Sequence, residues 1–266
     1  MRMVAGLEYA GGGYHGWQSQ PAVDTVQARL EKALSAVAAT PISVKCAGRT
    51  DKGVHASGQV FHFDTDAIRT ERAWMEGTNH HLPKDIRLLW IQPSLDTFHA
   101  RYSATARRYR YFLFNAPRSP AFLKDAVSWD YRPLSVERMH EAAQWLVGEH
   151  DFSSFRGAGC QAKGAVRRVH QIQVARLPSG LIMFDITANA FLLHMVRNIV
   201  GSLMEVGSGE AEPEWIQTVL AARDRRKAGM TASAAGLYLV DVLYPIHFGL
   251  PKLAIGPWCF FSLEDS

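Results

Sequence analysis

One short turn holds most of the side chains that could do chemistry. Gly48-Arg49-Thr50-Asp51-Lys52-Gly53-Val54-His55 sets a carboxylate between two cations, with a hydroxyl and an imidazole close by. Cations beside a carboxylate favour its ionised form. An ionised carboxylate on a short loop between strands is suited to work as a nucleophile or base. On pattern alone, an ordinary Asp-containing β-turn is the commoner explanation of such a run. Arg197 is the second unusual residue. At helical spacing its neighbours Leu193, Val196, Ile199, Val200, Leu203 and Met204 are all apolar. A guanidinium on that stripe either snorkels to solvent or, if buried, needs a carboxylate, for which Asp51 is a sensible partner. The third feature is a cluster of arginines. Arg101, Arg107, Arg108 and Arg110 are interleaved with Tyr102, Tyr109 and Tyr111. Guanidiniums that hold phosphates beside rings that stack on bases suit a nucleic-acid surface.

These residues need elements to position them. Residues 2–9 read as a first strand, followed by a loop, Gly11-Gly12-Gly13-Tyr14-His15-Gly16-Trp17. Asp24 with Gln27 three residues on has the pattern of a capping box, and Val26 to Val37 follow at helical spacing up to Pro41. Strands are expected over 42–47 and 59–64, on either side of the Asp51 turn. A helix over 70–80, a short strand over 86–91 and a long strand over 105–114 complete the first half. On that long strand Arg107, Tyr109 and Tyr111 share one face, and Arg108, Arg110, Phe112 and Phe114 the other. A mixed edge strand with core aromatics would alternate in the same way. In the second half helices are expected over 135–147, 191–206 and 212–222. A hairpin is expected around Pro178-Ser179-Gly180 and a last strand over 237–243. Strands, hairpins and single helices in this mixture point to an α+β fold. The element order divides into halves over 1–116 and 117–266, with the junction near 117–133.

Composition sets limits on the function. The chain has 266 residues, of which 47% are hydrophobic and 20% charged, which excludes a disordered or fibrous protein. Three cysteines, Cys46, Cys160 and Cys259, form no CxxC pair, and the eleven histidines show no metal spacing. No run of 18 apolar residues and no apolar leader occur, so a cytoplasmic protein is the default expectation. The loop at 11–16 matches G-x-G-x-x-G, but Trp17-Gln18-Ser19-Gln20-Pro21 does not open a helix behind it. No nucleotide cofactor is therefore expected, and the loop reads instead as a flexible turn presenting Tyr14 and Trp17. The net charge is +4, carried by 21 arginines against 8 lysines. Arginine is the residue of choice for bidentate phosphate contacts.

The run AGRTDKGVHA at 47–56 closely resembles the catalytic-aspartate motif of the tRNA pseudouridine synthase A family. GWQ at 16–18, FHARYSATARRYRY at 98–111, NAFLLHMVRNIVGSLMEVG at 189–207 and GLYL at 236–239 resemble that family's other blocks, in its order. The resemblance implies an α+β fold with a central, mainly antiparallel sheet built from two related halves, flanked by helices, with an active-site cleft between the halves. It implies isomerisation of uridine to pseudouridine at tRNA positions 38, 39 and 40, with no cofactor and no metal, by a homodimer. It also implies that Asp51 is the catalytic aspartate, Tyr109 the tyrosine against the target base and Arg197 the arginine paired with the carboxylate. Arg49 would help to extrude the base, and Leu237 would pack in the pocket. Arg101, Arg107, Arg108 and Arg110 would contact the RNA backbone. Lys52 stands where the family usually has Ala, and Ala10 where it usually has Asp.

Overall fold

Hydroxyl caps start three of the helices in the computed structural model, which describes residues 1–260. In the first unit of structure, Met1–Thr105 with Tyr238–Pro257, the strands are β1 (Arg2–Tyr9), β2 (Lys45–Cys46), β3 (His55–Asp64) and β4 (Ile86–Ser94). Helices α1 (Val26–Ala38) and α2 (Glu71–His81) pack on each other, and α2 also packs on β4. Strand β1 lies between β3 and β4, antiparallel to both. The other edge of β3 is shared. Short β2 pairs with its Phe61 and His62, while Tyr238 and Leu239 of the last strand pair in parallel with His55 and Ala56. Trp17, Phe61, Phe63 and Trp74 are fully buried and fill this core.

The second unit, Ala106–Leu237 with the C-terminal segment from Trp258, is built on β5 (Ala106–Asn115). Its other strands are β6 (Ser128–Asp130), β7 (Gly148–Asp151), β8 (Val166–Arg176) and β9 (Ile182–Ala188). β5 pairs antiparallel with β9, β9 with β8, and β8 with β7, while β6 runs parallel to the end of β5. Helix α3 (Val136–Gln144) packs on β8 and on α4 (Met195–Gly207), and α5 (Trp215–Ala222) follows. Tyr111, Phe112, Phe152, Phe155 and Phe184 are fully buried here. The last strand, β10 (Leu237–Leu243), begins at the end of this unit. The fold is α+β with mostly antiparallel pairing, as expected.

Several boundaries differ from the sequence expectation, each for a local reason. The cap of α1 is Thr25, whose hydroxyl accepts from the Ala28 N–H; Asp24 instead binds Arg29 through both oxygens at 2.7 and 2.8 Å. The strand expected over 42–47 shrinks to two residues, because α1 side chains take its amides: Ser35 accepts from Ile42 and Glu31 from Val44. The helix expected from Phe191 starts at Met195, since His194 turns left-handed at φ 58° and the Leu193 carbonyl accepts from Gly157. By packing, β5 belongs wholly to the second unit and most of β10 returns to the first. Strand β6 lies inside the expected 117–133 junction. Residues 261–266, which end the expected second half, lie outside the described residues.

Candidate active site

The Asp51 loop is anchored on both sides of the carboxylate. Before it, the Ala47 N–H donates to the Val60 carbonyl of β3, and buried Gln59 brackets Gly48, donating to its carbonyl at 2.7 Å and accepting from its N–H. Buried Thr50 shares a 2.7 Å hydrogen bond with the Tyr9 hydroxyl at the end of β1, and its carbonyl accepts from the Trp17 N–H at 3.0 Å. After it, a tight turn is closed by the Val54 N–H donating to the Asp51 carbonyl. Asp51 itself is half-buried, while Arg49 and Lys52 beside it are exposed. The anchors fix the backbone on which the carboxylate stands, with an exposed cation on each side of it in sequence. Cys46 is no rival nucleophile, because burial pushes its thiol up to about 12.

The glycine loop at 11–17 supports the Asp51 loop. It is not a flexible turn: Tyr14 and Trp17 are 5% and 1% exposed, and the Tyr14 hydroxyl donates to Asp85 at 2.7 Å. Gly16 sits at φ +86°, and a Cβ there would lie 2.7 Å from the Thr50 carbonyl oxygen and 3.0 Å from the Asp51 carbonyl carbon. At Gly11 a Cβ would collide with the Val54 carbonyl. Two glycines of the G-x-G-x-x-G match thus let this backbone approach the Asp51 loop. The first N–H groups of α1, from Val26 and Gln27, donate to the Gly16 and Trp17 carbonyls. Those amides are already occupied by protein, so they are not available to a pyrophosphate.

Tyr109 and Arg197 both lie in the second unit. Tyr109 stands opposite Ile186 in the β5–β9 pairing, is 8% exposed, and meets Phe191 edge-on with centroids 4.9 Å apart. Arg197 lies in the first turn of α4 and is half-buried, with its Nε donating to the Ala232 carbonyl at 2.7 Å. Leu237 is buried at the start of β10. The clustered arginines separate into distinct roles. Arg108 grips Asp185 of β9 through two 2.7 Å hydrogen bonds, and Arg110 shares the same carboxylate at 2.8 Å. Asp185, 2% exposed, lies opposite Arg110 in the register. Arg107 donates to the Asn189 carbonyl, and exposed Arg101 lies 5.7 Å from the centre of the Tyr102 ring.

Sequence reasoning missed Tyr9, Gln59, Asp185 and Asn198. Asp185 had a signal: it is the one charge in the apolar run Ile182–Ala188, beside a strand rich in arginine. The other three were silent, because their partners are distant in sequence and only the fold brings them near. Among the described residues, no three His, Cys, Asp or Glu side chains are grouped to share a metal ion. No helix among them is long and apolar enough to cross a membrane.

Known proteins of one family resemble this chain along most of its length. A family model described as tRNA pseudouridine synthase matches residues 5–103 and 142–245. The tRNA pseudouridine synthase A of Coxiella burnetii is 55% identical over 257 residues, covering 97% of this chain and 98% of that one. That of Shewanella woodyi is 58% identical over 258 residues, with the same coverage. Among solved structures, a chain of a Cbf5–Nop10–Gar1 complex aligns with a TM-score of 0.40 and 9% identity, covering 90% of this chain and 49% of that one, a likeness too distant to inform the site. Matches of this extent define an isomerase that forms pseudouridine. The chain belongs to the tRNA pseudouridine synthase A family.

Proposed function

We propose that the protein isomerises uridine at positions 38, 39 and 40 of the tRNA anticodon stem-loop, with Asp51 as the nucleophile or base. The observation that carries this reading is the anchored loop around Asp51, an acidic residue flanked in sequence by two exposed cations, within a chain of this family. The reaction breaks the N-glycosidic bond, turns the uracil and joins C5 to the same sugar carbon. A stacked uridine must first leave the helix, so the base is flipped, with Arg49 helping to extrude it. Asp51 then attacks the base or sugar, or removes a sugar proton. By the resemblance, Tyr109 is the tyrosine against the uracil, Leu237 an apolar residue of the pocket, and Arg197 the arginine paired with the catalytic carboxylate. Arg101 and Arg107 contact phosphates. Arg108 and Arg110 share Asp185, which neutralises one of their two charges, so their pull on the backbone is weaker. The enzyme acts in the cytoplasm as a homodimer, the homodimer being what the resemblance implies.

The site of modification is tested with tRNA transcripts in which uridines 38, 39 and 40 are replaced by cytidine, one at a time and together. Chemical mapping of pseudouridine should show product at each retained position and none in the triple replacement. Undiminished product in the triple replacement would move the target elsewhere in the tRNA. Sedimentation velocity would show whether the particle has the mass of two chains.

A further inference from the structure

We propose that residues 225–232 form a strap that sets the direction of the Arg197 guanidinium, and that Asn198 and Gly201 are positioning residues for the reaction. The inference rests on the role given to Arg197 above. Four residues of helix α4, Arg197, Asn198, Gly201 and Ser202, meet this segment. Arg197 binds it twice: its Nε donates to the Ala232 carbonyl at 2.7 Å, and its own carbonyl accepts from the Ala232 N–H at 3.1 Å. Asn198, fully buried, accepts at Oδ1 from Thr231 Oγ1 at 2.7 Å and from Arg225 Nη2 at 3.1 Å, while its Nδ2 donates to the Phe155 carbonyl. The Ser202 hydroxyl donates to the Asn198 carbonyl and accepts from the Gly229 N–H. At Gly201 any Cβ would collide with the Met230 carbonyl oxygen.

These contacts do more than stabilise a loop. A guanidinium on a long side chain has many rotamers, and a planar fork is useful only in one orientation. The Ala232 carbonyl fixes Nε, so the plane of the fork follows the strap. The strap in turn lies where Asn198, Gly201 and Ser202 allow it. Catalytic power depends on geometry at the scale of an ångström, so displacing the strap should slow the chemistry more than it weakens RNA binding.

Gly201→Ala tests this, since Ala suits a helix interior better than Gly and only the strap has to move. Single-turnover conversion of tRNA should fall at least about tenfold, with tRNA affinity changed less than about threefold. Thr231→Val should slow turnover and Thr231→Ser should restore it. Arg197→Lys should cost much less in the Gly201→Ala background than in the wild type, because the fork is already misdirected. A folded Gly201→Ala variant with the wild-type rate, or fully multiplicative effects of the two substitutions, would overturn the proposal. A readout independent of activity is hydrogen exchange of the Arg197 Nε–H by NMR, slow in the wild type and faster in Gly201→Ala. Equal exchange would also overturn it. If the wild type made no pseudouridine the assigned reaction would fail, yet the exchange experiment would still decide whether the strap holds Arg197.

Discussion

Asp51 is held by its neighbours more than by its own turn. The Tyr9–Thr50 hydrogen bond is buried and joins the end of β1 to the residue before the carboxylate. Thr50→Val keeps the shape and removes the hydroxyl, so Tyr9 loses its 2.7 Å partner and keeps the Gln59 amide. A loss of about 1–3 kcal/mol in urea unfolding is expected, together with slower turnover at unchanged tRNA affinity. A variant as stable and active as the wild type would show that the bond does not hold the loop. A pH effect belongs to His62. It is buried, its Nδ1 accepts from the Ala100 N–H, and desolvation with nearby His99 brings its pKa down to about 4. The unfolded chain therefore binds its proton first on acidification. The stability is fully present above about pH 6.5 and is lost as the pH falls from there to about 4, by up to about 1.4 kcal/mol per pH unit. His99, shifted in the same direction, adds to this slope. Urea unfolding at pH 7 and pH 5 should show the loss, and His62→Gln should flatten it.

At the scale of elements, Asp185 ties β5 to β9. Its carboxylate holds two guanidiniums in a place almost closed to water. Asp185→Asn would remove the buried negative charge that both cations share, at a cost of about 3–5 kcal/mol in unfolding free energy. A loss below about 1 kcal/mol would mean that the strand pair does not rely on this network. Most elements were legible in the sequence because their signals are local. Strands β1, β5, β8 and β9 alternate or run apolar, and Thr70 and Ser135 mark the starts of α2 and α3 by capping them. The shortfalls came where distant groups decide. Ser35 and Glu31 take the amides that would have extended β2, and Gly157 takes the Leu193 carbonyl that a longer α4 would have used. The candidate site shows the same division. Asp51, Tyr109 and Arg197 stood on the expected loop, strand and helix. The buttress of glycines and the strap were not legible, because a glycine's value lies in what approaches it.

At the scale of the whole molecule, the surplus of arginine predicts how RNA is held. Affinity for tRNA should fall steeply with salt, the logarithm of the binding constant declining in proportion to the number of phosphates neutralised. Arg101→Ala and Arg107→Ala should each flatten that slope by about one contact and leave saturating turnover almost intact. A flat salt response in the wild type would argue against an extended RNA surface.

Tritium release from tRNA carrying 5-tritiated uridine decides whether Asp51 performs the isomerisation. Forming the bond at C5 expels that tritium. The wild type should release it, and Asp51→Asn should release none above background while binding tRNA with wild-type affinity. Release by Asp51→Asn at the wild-type rate would contradict the account.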